Sequence, residues 1–370
     1  MQRHAFRHFD YGLLLLAGGL VAYGGLLIYS ASLTAYPDGI AGLSHPVVKQ
    51  ALFAAFGLTM MAIIAWMDYR VFGQMAPALY VLAILILVVV LFLGESTFGS
   101  RRWITVGGTQ IQASEVAKLL TIIALAHFLA DRQRQITRVR VFLASLALAA
   151  LPAALVMAEP DMGTAIIFGA IWVGMVLMAG ARVQHLLVLG GFLLAAIPFA
   201  ALAVLGDYQR DRIALFFNPN SDPLGGGFNI LQGEISVGSG GVFGKGLTNG
   251  SQTQLDFLQT PATDYIFSVL GEELGLIGAL VLLALFTALL FRTIRVASLA
   301  RDQFGRLLAT GIAIMILFQV FINIAVNIRL LPVTGIPLPF VSQGGSSLIM
   351  LFVALGLLQS VLLRHRQLEF

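Results

Sequence analysis

The run PALYVLAILILVVVLFLG, from Pro77 to Gly94, holds no charged residue. Crossing the hydrocarbon core of a bilayer takes about 20 predominantly apolar residues in a helix, and this run has the length and purity to do so. Outward from it, nine further stretches have the same character: 11–30, 48–67, 115–130, 141–158, 162–180, 185–205, 265–291, 307–328 and 343–363. The 370-residue chain is 58% apolar and 11% charged, with a mean hydropathy of +0.91. A soluble core of this size needs no such excess, whereas a set of membrane spans does. The expected fold class is all-α: a polytopic membrane protein of about ten transmembrane helices, one domain over 1–370, with one large extracytoplasmic loop at 206–263.

Lys and Arg collect in cytoplasmic loops. With both termini cytoplasmic, fourteen of the 22 basic residues fall inside: Arg3, Arg7, Arg70, Arg132, Arg134, Arg138, Arg140, Arg182, Arg292, Arg295, Arg301, Arg306, Arg364 and Arg366. The other eight are Lys49, Arg101, Arg102, Lys118, Arg210, Arg212, Lys245 and Arg329. They lie outside or within spans, where charge marks function. The pI of about 9.6 thus reports topology and implies no nucleic-acid partner. There is no cysteine, so helix packing rather than disulfides or thiolate metal sites must organise the external segments. The basic N-terminus ahead of an apolar run also resembles a cleaved signal ending at Ser30-Ala31-Ser32, but the run exceeds the roughly 7–15 apolar residues of such signals and is read as the first span.

Two external segments are long and chemically rich, 95–114 and 206–263. The second is too long for a passive connection and includes Gly238-Ser239-Gly240-Gly241-Val242-Phe243-Gly244-Lys245-Gly246. This run is no P-loop: Ser239 stands where that motif needs Gly, and Gly246 where it needs Ser or Thr. Short basic cytoplasmic loops also argue against nucleotide-driven work.

Asp264 stands where the long segment enters the eighth span. A carboxylate there can act as a general base with its pKa raised by burial, or it can cap the helix. Glu115 and Lys118 share one helical face and form either a functional or a structural intramembrane pair. Asp161 is a site carboxylate or an N-cap. Arg210, Arg212 and Lys245, beside a loop rich in backbone N–H donors, suit a pyrophosphate, or are solvated loop charges. Arg101 and Arg102, flanking Trp103, read as interfacial anchors. The six histidines show no paired metal-ligand spacing in an external loop.

Eight strings now converge. They are Arg102-Trp103-Ile104, Gln112 through Lys118, Pro160 through Thr164, Tyr208 through Arg212, Asp222-Pro223-Leu224-Gly225, Gly238 through Gly246, Thr263 through Phe267 with Gly271-Glu272-Glu273-Leu274-Gly275, and Leu331 through Phe340. In order, and over nearly the whole chain, these resemble the SEDS family of shape, elongation, division and sporulation proteins. The short termini, Asp207 through Arg210 and Ser251 through Leu258 are most similar to its elongation branch. The resemblance implies a SEDS-type bundle and a peptidoglycan glycosyltransferase that polymerises lipid II on the outer face of the cytoplasmic membrane, in cell elongation and shape maintenance. It implies Asp264 as catalytic, with Arg102, Glu115, Lys118, Asp161, Arg210 and Lys245 as substrate-binding residues. Asp264 would deprotonate the GlcNAc 4-hydroxyl of an acceptor lipid II, which attacks C1 of the undecaprenyl-linked donor glycan with inversion and loss of undecaprenyl pyrophosphate. Arg210, Lys245, loop N–H groups or a divalent cation, magnesium or manganese, would stabilise the leaving charge. The implied partner is a class B penicillin-binding protein, a single-span transpeptidase.

Four positions depart from the family pattern. Ala262 takes the place of a His two residues before Asp264, Arg329 that of a Gly, Gln343 that of a Tyr, and Ala113 that of a Pro. The first removes an imidazole that could tune the carboxylate, while Arg329 reads as a side chain snorkelling to headgroups. Two other classes compete. A lipid II flippase predicts polar residues continuing through the bundle to the cytoplasmic side, and a non-catalytic scaffold predicts that Asp264→Asn is tolerated.

Overall fold

The computed structural model describes residues 9–36, 39–40, 42–97, 100–106, 109–203, 206–222 and 225–364. Arg3, Arg7, Arg366 and the Pro223-Leu224 pair lie outside the described residues, as do the side chains of Arg101 and Tyr208. In chain order the helices are α1 (Tyr11–Ser32), α2 (Pro46–Trp66), short α3 (Tyr69–Gln74), α4 (Ala76–Leu93), α5 (Ala113–Asp131), α6 (Val139–Ala158), α7 (Met162–Met178), α8 (Val183–Ala203), α9 (Asp207–Phe217), α10 (Gly226–Ser239), α11 (Ser251–Gln254), α12 (Ile266–Leu299), α13 (Gln303–Asn327) and α14 (Gly345–Leu363). Among the described residues eight are long and apolar enough to cross a membrane: α1, α2, α4, α5, α6, α12, α13 and α14. The shorter apolar helices Met162–Met178 and Val183–Ala196 occupy the two remaining expected stretches. The chain is a multi-pass membrane protein.

Most of α5, α13 and α14 is buried, so these helices form the centre. Helices α2, α4 and α6 turn most of their apolar surface outward, as lipid-facing helices do. Where α2 packs along α14, Gly57 meets Phe352 and Gly356 meets the Met61 carbonyl. Small residues let backbones approach closely where lipid supplies no hydrophobic drive between helices.

The segment at 95–114 is no plain loop. It forms an antiparallel meander of β1 (Glu95–Thr97), β2 (Ser100–Val106) and β3 (Thr109–Gln112), with Trp103 opposite Gln112 and Ile104 opposite Ile111. The β-branched run Ile104-Thr105-Val106 favours an extended backbone, and this three-stranded sheet is the exception to an all-α fold.

Helix α12 is interrupted at Gly275 (φ 62°, ψ −159°). Ser268, near its start, bonds Asn327 at the C-terminal end of α13, and Glu273 accepts from Ser30 at the C-terminal end of α1. Residues 266–274 therefore form a half-helix of roughly 13 Å joining those two ends, and the span expected from 265 begins only beyond Gly275. The Gly-rich segment splices the break. Lys245 and Gly246 N–H donate to Glu272 and Glu273 O (both 2.9 Å), while Gly241 and Val242 O accept from Leu276 (3.0 Å) and Ile277 N–H (3.1 Å). Backbone groups that a broken helix would leave bare are thus satisfied.

Candidate active site

Asp264 immediately precedes the half-helix but does not cap it. The N-cap is Tyr265, and no side chain bonds the first-turn N–H groups. The half-buried Asp264 carboxylate is left for other use. Its Oδ2 and Arg102 Nη1 converge on Gly335, where a Cβ would meet them at 3.7 and 3.6 Å. Gly335 has φ 73° and so keeps this space open. Burial pushes the Asp264 carboxyl above its ordinary value, opposed by the Arg212 and Arg102 guanidinium groups, reinforced by Asp161 and opposed again by a Thr263 hydrogen bond.

Arg102 is no interfacial anchor. It points inward from β2 and is 7% exposed. Its Nη2 donates to Pro160 O, and its Nη1 lies 3.9 Å from Asp161 Oδ1. Asp161 does cap α7, accepting from Thr164 N–H at 3.1 Å and Thr164 Oγ1 at 2.9 Å. Its Oδ2 also accepts from Gln112 Nε2 at 3.3 Å. The meander thus brings Arg102 and Gln112 onto the N-terminus of α7. Glu159 sits beneath, 1% exposed, with Oε1 lacking a hydrogen-bond partner.

The remaining expected residues are distributed differently. Glu115 and Lys118 form a 2.8 Å ion pair, both buried inside the bundle. Arg210 is exposed, and the charge that acts on Asp264 from α9 belongs to Arg212, whose Nη1 also donates to Val333 O at 3.0 Å. Lys245 faces Glu272, with Nζ 2.7 Å from Oε1, one face of a knot that also brings Ser251 Oγ and Gln252 N–H onto the same oxygen. The N–H groups of Gly244, Lys245 and Gly246 are engaged within the run and across the splice, so these three are not offered to a phosphate. Arg329 pairs with Glu234 of α10 at 2.9 Å instead of snorkelling. Two family departures touch, since Gln343 N–H donates to Ala262 O at 2.9 Å. Among the described residues no three His, Asp or Glu side chains converge as metal ligands.

Sequence reasoning missed Gln112, Glu159, Arg212 as the nearer guanidinium, and the amides of α13. The spacing Gln319, Asn323, Asn327 was a usable signal: three amides on one face of an apolar span.

The cell-cycle protein family of FtsW, RodA and SpoVE matches residues 11–367. The chain is 37% identical over 354 residues to the peptidoglycan glycosyltransferase MrdB of Escherichia coli K12, covering 96% of this chain and 93% of that one. It is 41% identical over 352 residues to stage V sporulation protein E of Bacillus subtilis, covering 94% of each. A chain from the structure described as "Structural coordination of polymerization and crosslinking by a peptidoglycan synthase complex" superposes with a TM-score of 0.82 at 31% identity, over 97% of this chain and 99% of that one.

Proposed function

We propose that this chain, which belongs to the FtsW, RodA and SpoVE family of cell-cycle proteins, uses Asp264 as the general base of its reaction. The protein is a peptidoglycan glycosyltransferase. The observation that carries the assignment is a half-buried carboxylate, not engaged in capping its helix, that shares the space over Gly335 with a buried guanidinium. In the reaction that the family resemblance implies, the 4-hydroxyl oxygen of the acceptor GlcNAc bonds to C1 of the donor glycan as the C1–O bond to undecaprenyl pyrophosphate breaks. The hydroxyl proton passes to Asp264, and the bonding pair leaves with the pyrophosphate. Arg102 and Arg212 stabilise the developing negative charge in a water-poor site, where such groups act strongly. Asp161 and Gln112 hold Arg102 and its strand in place, and the Glu115–Lys118 pair lies within the first turns of α5.

The site opens on the extracytoplasmic face, with 206–263 as its external segment and both termini cytoplasmic. Likeness to a chain of a complex that coordinates polymerization with crosslinking supports a class B penicillin-binding protein as partner. Likeness to MrdB supports work in elongation.

Lipid II polymerisation by the purified chain, alone and with its cognate transpeptidase, tests the assignment. Wild type is expected to give a ladder of glycan strands. Asp264→Asn, equally folded, is expected to lose at least about 100-fold in rate, the usual scale of a lost general base. An active Asp264→Asn would remove the base and favour a scaffold or transporter.

A further inference from the structure

We infer that Asn327, with Asn323 one turn before it on α13, is a positioning residue for the reaction, its amide clamping the backbone of Asp264 so that the carboxylate stays in the space shared with Arg102. The inference rests on the base role proposed for Asp264. Three consecutive carbonyls around that residue are held by four donors. Ala262 O accepts from Gln343 N–H at 2.9 Å, and Thr263 O from Ser342 Oγ at 2.6 Å. Asp264 O accepts from Asn327 Nδ2 at 2.9 Å and from Asn323 Nδ2 at 3.3 Å. Ser342 is itself fixed by Leu338 N–H at 2.9 Å. Asn323 Nδ2 also donates to Ile336 O at 2.8 Å, next to Gly335. One amide therefore ties together both walls of the space in which the base and Arg102 meet.

The orientation of Asn327 is dictated by its neighbours. Its Oδ1 accepts from Ser268 N–H at 3.0 Å and from Ser268 Oγ at 2.8 Å. Its Nδ2 faces two carbonyls, Asp264 O and Asn323 O. A flipped amide would set N–H against N–H and oxygen against oxygen. Both asparagines are 2% exposed, and burying an amide is costly unless all its partners are present. An apolar side chain could pack the same gap, but it could not hold the carbonyl of residue 264. Displacing a reacting group by about 1 Å can cost on the order of 100-fold.

The charged and titratable groups around Asp264 are Arg212 from α9, Arg102 from β2, Asp161 at the start of α7 and the neighbouring Tyr265. Freed from its clamp, residue 264 would relax toward water and lose the burial that raises its pKa, so the acid limb of the rate profile would move to lower pH. The test is the pH dependence of lipid II polymerisation by the full chain with its transpeptidase, with melting temperature followed in parallel. Asn327→Ala is expected to lower kcat about 10- to 100-fold with little change in KM and to shift the acid limb downward. Asn323→Ala, which keeps the shorter bond to Asp264 O, should move both readouts less, and it carries the test if Asn327→Ala does not fold. Ser268→Ala, which leaves the Ser268 N–H on Asn327 Oδ1, should move the limb less than Asn327→Ala does. A folded Asn327→Ala with wild-type kcat and limb, beside an inert Asp264→Asn, overturns the clamp alone. Loss of activity only in proportion to loss of folded protein, with an unmoved limb, also overturns it. An active Asp264→Asn overturns the clamp together with the base.

Discussion

Glu159 and Asp161 share one buried guanidinium, and Asp161 holds the nearer contact to Arg102. Burial first, and the Asp161 charge second, push the Glu159 carboxyl up to about 8 from an ordinary 4.5, with Arg102 pulling against both. The folded chain therefore keeps a proton that the unfolded chain releases. The stability this brings is complete below the unfolded pKa and is lost as pH rises toward the folded one. Across that window the loss is on the order of a few kcal/mol. Glu159→Gln, which cannot ionise, is expected to melt like wild type near pH 4.5 and increasingly above it up to about pH 8, where the gap levels off. Parallel melting curves that stay superimposed at every pH would refute the shift. None of this was legible in the letters, because two carboxylates two residues apart do not say which one receives the arginine. The same holds for Asp264: base and helix cap both call for a carboxylate at a helix start, and only the geometry, with Tyr265 as the N-cap, takes the capping role away.

At the scale of elements, hydropathy located the eight helices long and apolar enough to cross a membrane and the two shorter apolar ones among the described residues, because a bilayer demands a long apolar helix wherever the chain crosses it. It could not place the break in α12, since a lone glycine such as Gly275 does not by itself stop a helix and the interruption depends on the Gly-rich run earlier in the chain. The Gly-rich run looked like a phosphate cradle for the same reason, as glycines permit a nest and a close backbone splice alike. The splice makes firm demands. Gly244 has φ 77°, and a Cβ there would lie 2.1 Å from Glu273 O. Gly244→Ala is expected to cost about 2 kcal/mol or more through backbone strain, lowering melting temperature and polymerisation together. Lys245→Met at the same splice leaves the fully buried Glu272 without its 2.7 Å partner. Lys245 is partly exposed, so the expected loss is about 1–3 kcal/mol, with the KM for lipid II unchanged. A raised KM at full stability would return Lys245 to the substrate.

At the scale of the whole molecule, the charges divide by end. Arg70 with Asp302, Arg292 with Asp10 and Arg364 with Asp68 pair at the end of the bundle where α1 and α13 begin. Arg102, Arg212, Lys245 and Arg329 lie with Asp264 at the other end, where those helices finish. Ion pairs bind the helices at both ends, Lys245 with Glu272 and Arg329 with Glu234 at the second, where Arg102 and Arg212 also act on Asp264. The polar network at Asp264 does not continue as a charged path to the opposite end among the described residues: Glu115 and Lys118 neutralise each other inside. This division favours chemistry at one surface over passage through the bundle. It also makes orientation decisive, since a lipid II polymerase of this design works only if the Asp264 end faces outward. The absence of cysteine makes the chain a ready background for single-cysteine labelling. In spheroplasts, a membrane-impermeant maleimide is expected to modify Asn249→Cys, exposed near the splice, at once, and Gln133→Cys, exposed between α5 and α6, only after permeabilisation. The reverse pattern would turn the base toward the cytoplasm and rule out polymerisation at the outer face, whatever the activity of the isolated site.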